Sequence, residues 1–149
     1  MAKSSDNICI ACDHAGFPMK SYLVEKAAEA GYAILDYGTY SDESVDYPDF
    51  VKPLAKAIDK GLHEKGIIIC GSGNGAQMTA NKYPNVRAAL CWSVEQAKLS
   101  RMHNDANIIS LPGRFVPFEE AWEMVQVFLN TGFEGGRHGR RVEKISEMI

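Results

Sequence analysis

Short apolar runs alternate with amphipathic segments along the whole chain. The apolar runs predict five strands, at Ile8–Cys12, Tyr32–Tyr37, Gly66–Cys70, Val86–Trp92 and Asn107–Leu111. A turn and a segment with helical signals follow each run. Three consecutive isoleucines in the third run indicate a strand buried on both faces of a parallel sheet. The pattern therefore predicts an α/β fold, a three-layer Rossmann-like domain with a five-stranded parallel sheet and helices on both faces.

Helix starts are marked along the same pattern. Prolines suited to a first helical turn stand at Pro18, Pro48 and Pro117. Ser93 and Gln96 have the spacing of a capping box for another helix. A glycine- and arginine-rich hinge over residues 132–139 is expected to lead to a terminal amphipathic stretch. No fixed-period repeat or linker interrupts the chain, so residues 1–149 are predicted to form one domain.

Composition narrows the class of protein. Of 149 residues, 46% are apolar and 23% charged, which is typical of a globular domain. The net charge of −3 argues against nucleic-acid binding through overall charge. No apolar run reaches the roughly 18–20 residues that a membrane helix needs. The start of the chain, Met1–Asn7, has no apolar signal core. We therefore expect a cytoplasmic protein without nucleic-acid or membrane partners.

The cysteine and histidine spacings argue against redox and metal chemistry. Cys9 and Cys12 form a C-x-x-C pair inside a predicted strand, where residues three apart point to opposite faces. This favours two structural residues over a redox pair, which usually opens a helix. The histidines lack a paired spacing such as H-x-x-x-H. Neither a metal nor a cofactor is therefore predicted.

A glycine-rich loop after the third strand is the strongest local signal. Its sequence is Cys70-Gly71-Ser72-Gly73-Asn74-Gly75. Glycines let a ligand approach the backbone, and a following helix start presents free N–H groups, so the loop is a candidate anion cradle. A thiol placed there is expected to have a lowered pKa, which makes it a candidate base or nucleophile. A buried strand cysteine before a tight turn is equally compatible with these residues.

Other known uses of such a loop fail on spacing. Gly71, Gly73 and Ala76 fit a dinucleotide fingerprint, but the next strand ends at residues 91–93 without the required carboxylate. No G-x-x-x-x-G-K-[ST] is present, which excludes a P-loop. A cysteine phosphatase loop would need arginine where Ala76 stands. A phosphoacceptor domain would need aspartate at Cys70.

Three further groups are candidates for a site. Asp13 and His14 follow the first strand and suit sugar binding and proton transfer, although an Asx turn beside a solvated histidine is the plain alternative. His103-Asn104-Asp105 ends a predicted helix, where the histidine could serve only as a C-terminal cation and Asn104 as a left-handed residue. Arg137 and Arg141 share a helix face and can grip a phosphate, or form a solvated basic tail.

Together these motifs resemble the type B ribose-5-phosphate isomerase family, which includes galactose-6-phosphate isomerase subunits. The matching segments span nearly the whole chain in order: Cys12-Asp13-His14-Ala15-Gly16, Asp46-Tyr47-Pro48, Cys70-Gly71-Ser72-Gly73, Ala80-Asn81-Lys82, Ser100-Arg101-Met102-His103-Asn104-Asp105-Ala106-Asn107, Gly135-Gly136-Arg137-His138 and Arg141-Val142. The resemblance implies metal-free isomerisation of ribose 5-phosphate and ribulose 5-phosphate through a cis-enediolate.

The resemblance also implies roles for single residues. Cys70 would move the proton between C2 and C1, and His103 would assist ring opening with Asp13 nearby. Ser72 and the N–H groups of residues 71–75 would stabilise the enediolate oxygen. The remaining positions implied to bind substrate are His14, Tyr47, Gly71, Gly73, Asn74, Gly75, Asn104, Arg114, Arg137, His138 and Arg141.

In this family the active site lies at a dimer interface, so we expect a homodimer, or a tetramer, whose C-terminal segments reach the neighbouring site.

Two positions depart from the pattern of the family. Ala76 stands where one subgroup has a glutamate base, which leaves Cys70 as base. Arg114 follows an unusual Pro-Gly, which leaves its role open.

Three alternatives remain open. The first is the same chemistry on a six-carbon phosphosugar such as allose or galactose 6-phosphate, because one carbon discriminates by only about 1–3 kcal/mol. The second is a catalytically silent phosphosugar-binding module, against which the presence of both Cys70 and His103 argues. The third is a flavodoxin-like nucleotide or flavin binder.

Overall fold

Strands and helices alternate along the chain, as the apolar pattern predicts. The computed structural model describes residues 7–147. In chain order the elements are β1 (Ile8–Cys12), α1 (Phe17–Glu29), β2 (Leu35–Asp36), α2 (Tyr47–Asp59), β3 (Lys65–Cys70), α3 (Asn74–Ala80), β4 (Ala88–Leu90), α4 (Val94–Asn104), β5 (Ile108–Pro112), α5 (Phe118–Asn130) and α6 (Arg137–Ile145).

The five strands form one parallel sheet in the order β2-β1-β3-β5-β4. Cys12 pairs in register with Ile69, and Cys70 with Pro112, so these three strands end at the same edge. After β2 the chain crosses to the other side of β1, which places the topological switch between β1 and β3. Ligands of open α/β sheets bind beyond the carboxyl ends at such a point. The predicted fold class is confirmed.

Alternate strand residues enter two apolar cores, one on each face of the sheet. Ile10 and Cys12 pack with helices α1, α4 and α5, whereas Cys9 and Ala11 pack with α2 and α3. Cys9 and Cys12 are fully buried and free, and they point to opposite faces, which confirms the prediction for the C-x-x-C pair.

The two edge strands are shorter than predicted, because each has a hydrogen-bonding neighbour on one side only. β2 has two residues instead of six and β4 has three instead of seven. On the open side of β4 the Asn81 side chain replaces a strand: its Oδ1 accepts the Ala88 N–H at 2.8 Å, and its Nδ2 donates to the Ala88 carbonyl at 3.0 Å.

The predicted hinge over residues 132–139 is partly wrong, since α6 already begins at Arg137. Gly135 and Gly136 have positive φ angles of 71° and 57° and turn the chain immediately before the helix. At the other end of α6, the Ser146 hydroxyl donates to the Pro84 carbonyl at 2.7 Å. Within residues 7–147, no helix combines the length and apolar character that crossing a membrane requires.

Candidate active site

The glycine loop after β3 is held firmly at the switch point. Cys70 is the last residue of β3 and only 4% exposed, and its carbonyl accepts the Gly113 N–H at 2.9 Å. Gly73 has a φ of 79°, and its carbonyl accepts the Ser110 hydroxyl at 2.7 Å. A Cβ on Gly73 would lie 2.4 Å from Leu90 Cδ1, so this position requires glycine both for its φ and for space.

Two side chains pack directly against the glycine backbone of this loop. A Cβ on Gly71 would lie 3.2 Å from Arg114 Nη1, and one on Gly75 would lie 2.3 Å from Tyr47 Cζ. Glycine therefore lets a guanidinium and a phenol approach the loop. The Ser72 Oγ accepts the Asn74 N–H at 3.3 Å and closes the turn into α3.

Asp13 and His14 lie beside this loop at the end of β1. Asp13 is 5% exposed, its Oδ1 accepts the Gly16 N–H at 3.0 Å, and its own N–H donates to the Ile69 carbonyl at 3.2 Å. The plain alternative, a carboxylate that closes a turn, is therefore present. The backbone bond to Ile69 places Asp13 next to the end of β3. The Val45 N–H lies 3.1 Å from His14 Nδ1 and ties the half-buried ring to the loop before α2.

The other three cysteines are poor candidates for a base. Burial raises the pKa of Cys9 and of Cys12 to about 12, and that of Cys91 to about 11. These thiols stay protonated at neutral pH and cannot serve as bases there. Cys70 is the cysteine that directly precedes the glycine loop.

Two thirds of the predicted site residues thus meet at the carboxyl ends of the strands. We name them the carboxyl-edge cluster: Asp13, His14, Tyr47, Cys70, Gly71, Ser72, Gly73, Asn74, Gly75 and Arg114.

The other predicted residues meet where α4 ends and α6 packs on it. We name them the α4–α6 cluster: His103, Asn104, Arg137, His138 and Arg141. Four of them, all but Arg137, line a cavity of about 370 Å³ together with Val142 and Ile145. The prediction of a left-handed turn at Asn104 is wrong. Asn104 is the last helical residue, and Asp105 has the positive φ of 48°.

The two clusters lie at opposite edges of the sheet within one chain. Cys70 pairs in register with Pro112, the last residue of β5. His103 and Asn104 end α4, before β5 begins at Ile108. The four steps from Ile108 to Pro112 span about 13 Å at the usual rise per residue. His103 is therefore remote from Asp13 and Cys70 within a single chain. A site that contains all three residues cannot be built from one subunit alone.

Sequence reasoning missed Glu134, whose carboxylate lies beside the two histidines. The His103 and His138 rings stack with centroids 4.3 Å apart and planes inclined by 13°. Glu134 Oε2 lies 3.6 Å from His103 Nε2. Within the described residues, the buried His138 Nε2 has no hydrogen-bond partner. Its surroundings lower the pKa of His138, first through burial and then through Arg137, which favours the neutral ring.

The geometry of these three groups is poor for a metal ion, although their ligand atoms lie within 4.8 Å of one another. An ion binds in the plane of each imidazole at about 2.0–2.1 Å from nitrogen. The stacked rings of His103 and His138 occupy two nearly parallel planes, so one ion cannot lie in both unless a ring turns. Arg141 lines the same cavity and repels cations.

The arginines of the α4–α6 cluster face outward. Arg137 and Arg141 are exposed and lie one turn apart on α6. Neither makes an ion pair with any residue in the part of the chain that the structure describes. Two unpaired guanidiniums on one helix face can bind a phosphate with charge-assisted hydrogen bonds.

Comparison with known proteins identifies relatives over nearly the full chain. The model of a family described as Ribose/Galactose Isomerase matches residues 8–145. Ribose-5-phosphate isomerase B of Escherichia coli (strain K12) is 41% identical over 139 residues, 93% of each chain. A ribose 5-phosphate isomerase from Thermotoga maritima has a TM-score of 0.94 at 45% identity, covering 97% of this chain and 100% of its own. Ribose-5-phosphate isomerase B from Mycoplasma genitalium with bound ribulose-5-phosphate has a TM-score of 0.89 at 41% identity, covering 98% and 95%.

Proposed function

The chain belongs to the ribose/galactose isomerase family, and we propose from this premise that it interconverts D-ribose 5-phosphate and D-ribulose 5-phosphate. The observation that carries the proposal is the placement of Cys70 at the carboxyl end of β3, directly before the glycine loop and beside the strand that immediately precedes Asp13. A small anionic ligand is expected at this switch point.

Cys70 acts as the base in the isomerisation step. Its thiolate removes the proton from C2 of the open-chain aldose, and the electron pair forms the C1–C2 double bond of an enediolate. The Ser72 hydroxyl and backbone N–H groups of residues 71–75 stabilise the negative oxygen. The proton of the C2 hydroxyl passes to the C1 oxygen, and the thiol returns its own proton to C1. The carbonyl group is then at C2 and the thiolate is restored. No metal or cofactor takes part in these steps.

Ring opening precedes this step and uses the α4–α6 cluster. The cyclic sugar opens when the C1–O4 bond breaks, O4 gains a proton and the C1 hydroxyl loses one. We assign this proton movement to His103 of a second copy, with Asp13 on the other side of the sugar. The edge-to-edge separation within one chain supports a site shared between two copies, and hence a homodimer or a tetramer of dimers.

The remaining residues bind the substrate. Arg137 and Arg141 of the second copy hold the phosphate, which agrees with their exposed and unpaired state. His14, Tyr47 and Asn104 bind sugar hydroxyls. The residues Gly71, Gly73, Asn74 and Gly75 supply the backbone of the cradle, Arg114 adds a cation beside it, and His138 completes the phosphate end.

A six-carbon phosphosugar is the second candidate substrate, because the family description also includes galactose isomerases. Ribose-5-phosphate isomerase B relatives at 41% identity and the bound ribulose-5-phosphate in the Mycoplasma genitalium protein support the pentose. The charged substrate does not cross membranes unaided, which fits the cytoplasmic location that we predict.

Turnover of ribose 5-phosphate by the purified protein tests the proposal, with excess chelator present and allose and galactose 6-phosphate in parallel. We expect pentose turnover at full rate under chelation. If the protein turns over either hexose phosphate faster than ribose 5-phosphate, that hexose phosphate is the preferred substrate and the pentose assignment is wrong. A folded protein inactive on all three sugars would leave a binding module, and loss of the rate under chelation would contradict the metal-free mechanism.

A further inference from the structure

The imidazole of His103 is contacted by two groups from the same short segment. We infer that Glu134 is a positioning residue that orients His103 for ring opening, with the His138 ring as the platform beneath it. This inference rests on the proposed function, since it concerns how one residue of that site is held.

The segment that supplies Glu134 is attached to the end of α4 at two points. The Glu134 N–H donates to the Met102 carbonyl at 3.0 Å, and Arg101 Nε donates to the Thr131 carbonyl at 2.9 Å. Arg101 is itself 7% exposed and belongs to the helix that carries His103. The position of Glu134 relative to His103 is therefore set by the backbone.

The glycine turn then brings His138 to the same imidazole. Gly135 and Gly136 reverse the chain with positive φ angles, and α6 returns along the end of α4. The His138 N–H donates to the Gly135 carbonyl at 3.0 Å, which fixes the first turn of the helix. The result is a ring stack at 4.3 Å on His103, with the carboxylate of Glu134 3.6 Å from its Nε2.

Stability does not explain this arrangement. The side chains of His103 and Glu134 are 38% and 43% exposed, and ion pairs at such positions contribute little to folding. A half-exposed histidine without these contacts would sample several rotamers. Proton transfer to a bound sugar needs the ring in one orientation within hydrogen-bond reach, which a carboxylate on one nitrogen and a stacked ring on one face provide.

The Glu134→Gln variant tests the role of the carboxylate, and Glu143→Gln, at an exposed position on α6, is the matched control. Turnover of ribose 5-phosphate requires ring opening. Ribulose 5-phosphate cannot close a furanose ring, because its C5 oxygen carries the phosphate. Exchange of its C1 proton in D2O therefore reports the Cys70 step without ring chemistry.

We expect Glu134→Gln to lower kcat on ribose 5-phosphate about 10-fold, a part of the roughly 10²–10⁴-fold that a positioned acid–base group supplies. Proton exchange from ribulose 5-phosphate and KM should stay within about twofold of the unmodified protein. Equal losses in turnover and exchange would overturn the inference, and so would an unchanged kcat.

His138 variants test the platform separately. His138→Phe keeps a flat ring and should retain a higher ratio of ribose 5-phosphate turnover to proton exchange than His138→Leu, because exchange corrects for any loss of phosphate binding. A ratio for the phenylalanine variant no higher than that for the leucine variant would contradict the platform. If the unmodified protein shows neither turnover nor exchange, the proposed function fails instead, which these measurements distinguish from a failure of the positioning role.

Discussion

The carboxyl-edge cluster and the α4–α6 cluster hold their side chains in different ways. At the carboxyl edge, Asp13 and Cys70 are at most 5% exposed, and backbone hydrogen bonds to neighbouring strands fix them. In the α4–α6 cluster, Arg137 and Arg141 are exposed on a short terminal helix. The first cluster is therefore a rigid site at the end of the sheet, whereas the arginines of the second cluster form a charged, exposed surface.

This difference indicates how the work of the site is divided. Proton abstraction at carbon needs a group held in one place, and the end of a central strand provides it. Phosphate binding needs positive charge that reaches the substrate from outside the sheet. Under the proposed function, the second cluster acts only when another copy places it over the first, so mutations in the two regions are expected to have distinct consequences.

The largest effect is expected for Cys70→Ser, because a serine hydroxyl is too weak a base to remove the C2 proton. We expect kcat to fall by about 10³-fold while the affinity for ribose 5-phosphate is retained. Steady-state kinetics and calorimetric binding measure the two quantities. Turnover close to that of the unmodified protein would remove Cys70 from the mechanism and weaken the contrast between the clusters.

A smaller and different effect is expected for Arg137→Ala and Arg141→Ala. Each removes a charge-assisted contact to phosphate and should raise KM for ribose 5-phosphate by about 10- to 100-fold with a smaller change in kcat. Lys60→Ala, at an exposed position following α2, is the control for loss of one positive charge. KM values equal to that control would place the phosphate elsewhere.

Mixing the two kinds of variant tests whether the clusters come from different copies. Random exchange between Cys70→Ser and Arg141→Ala subunits makes half of the dimers mixed, each with one intact site. At a ribose 5-phosphate concentration near the KM of the unmodified protein, where each variant alone is slow, about a quarter of the unmodified activity should return. Mass spectrometry confirms that exchange has occurred. No recovery in confirmed mixed dimers would mean that each site belongs to a single chain.

The smallest effect concerns the stability of the α4–α6 cluster in acid. Burial, helped by Arg137, His103 and Arg141 and opposed by Glu134, lowers the pKa of His138. The unfolded chain therefore binds this proton more readily, and stability is lost as the pH falls below about 6.5. Between pH 7.5 and 5, the Tm should fall more for the unmodified protein than for His138→Phe. An equal fall in Tm for the two proteins would show that protonation of His138 does not contribute to the loss of stability in acid.

The fold and the carboxyl-edge cluster follow closely from the chain. Apolar runs report parallel strands directly, and the residues after them must share one edge, so Asp13 and Cys70 could be placed together before any coordinates. The boundaries of β2 and β4 could not, because pairing at a sheet edge depends on a neighbour that the strand's own sequence does not contain.

The second cluster is harder to read for a physical reason. Glu134 reaches His103 only because Gly135 and Gly136 take positive φ angles, and a glycine-rich stretch is equally typical of a flexible hinge. The left-handed residue at the end of α4 is Asp105 rather than Asn104, a choice that local sequence barely constrains. The roles assigned to both clusters stay predictions until the variants are measured.

The amide of Asn81 has a consequence for how copies of this protein can meet. By occupying the outward N–H and carbonyl of Ala88, it leaves no template there on which a foreign strand could add. The opposite border of the sheet is only two residues long. Pairing of two copies edge to edge through their strands is thereby disfavoured, which favours contacts between side-chain surfaces that select a partner by shape and charge.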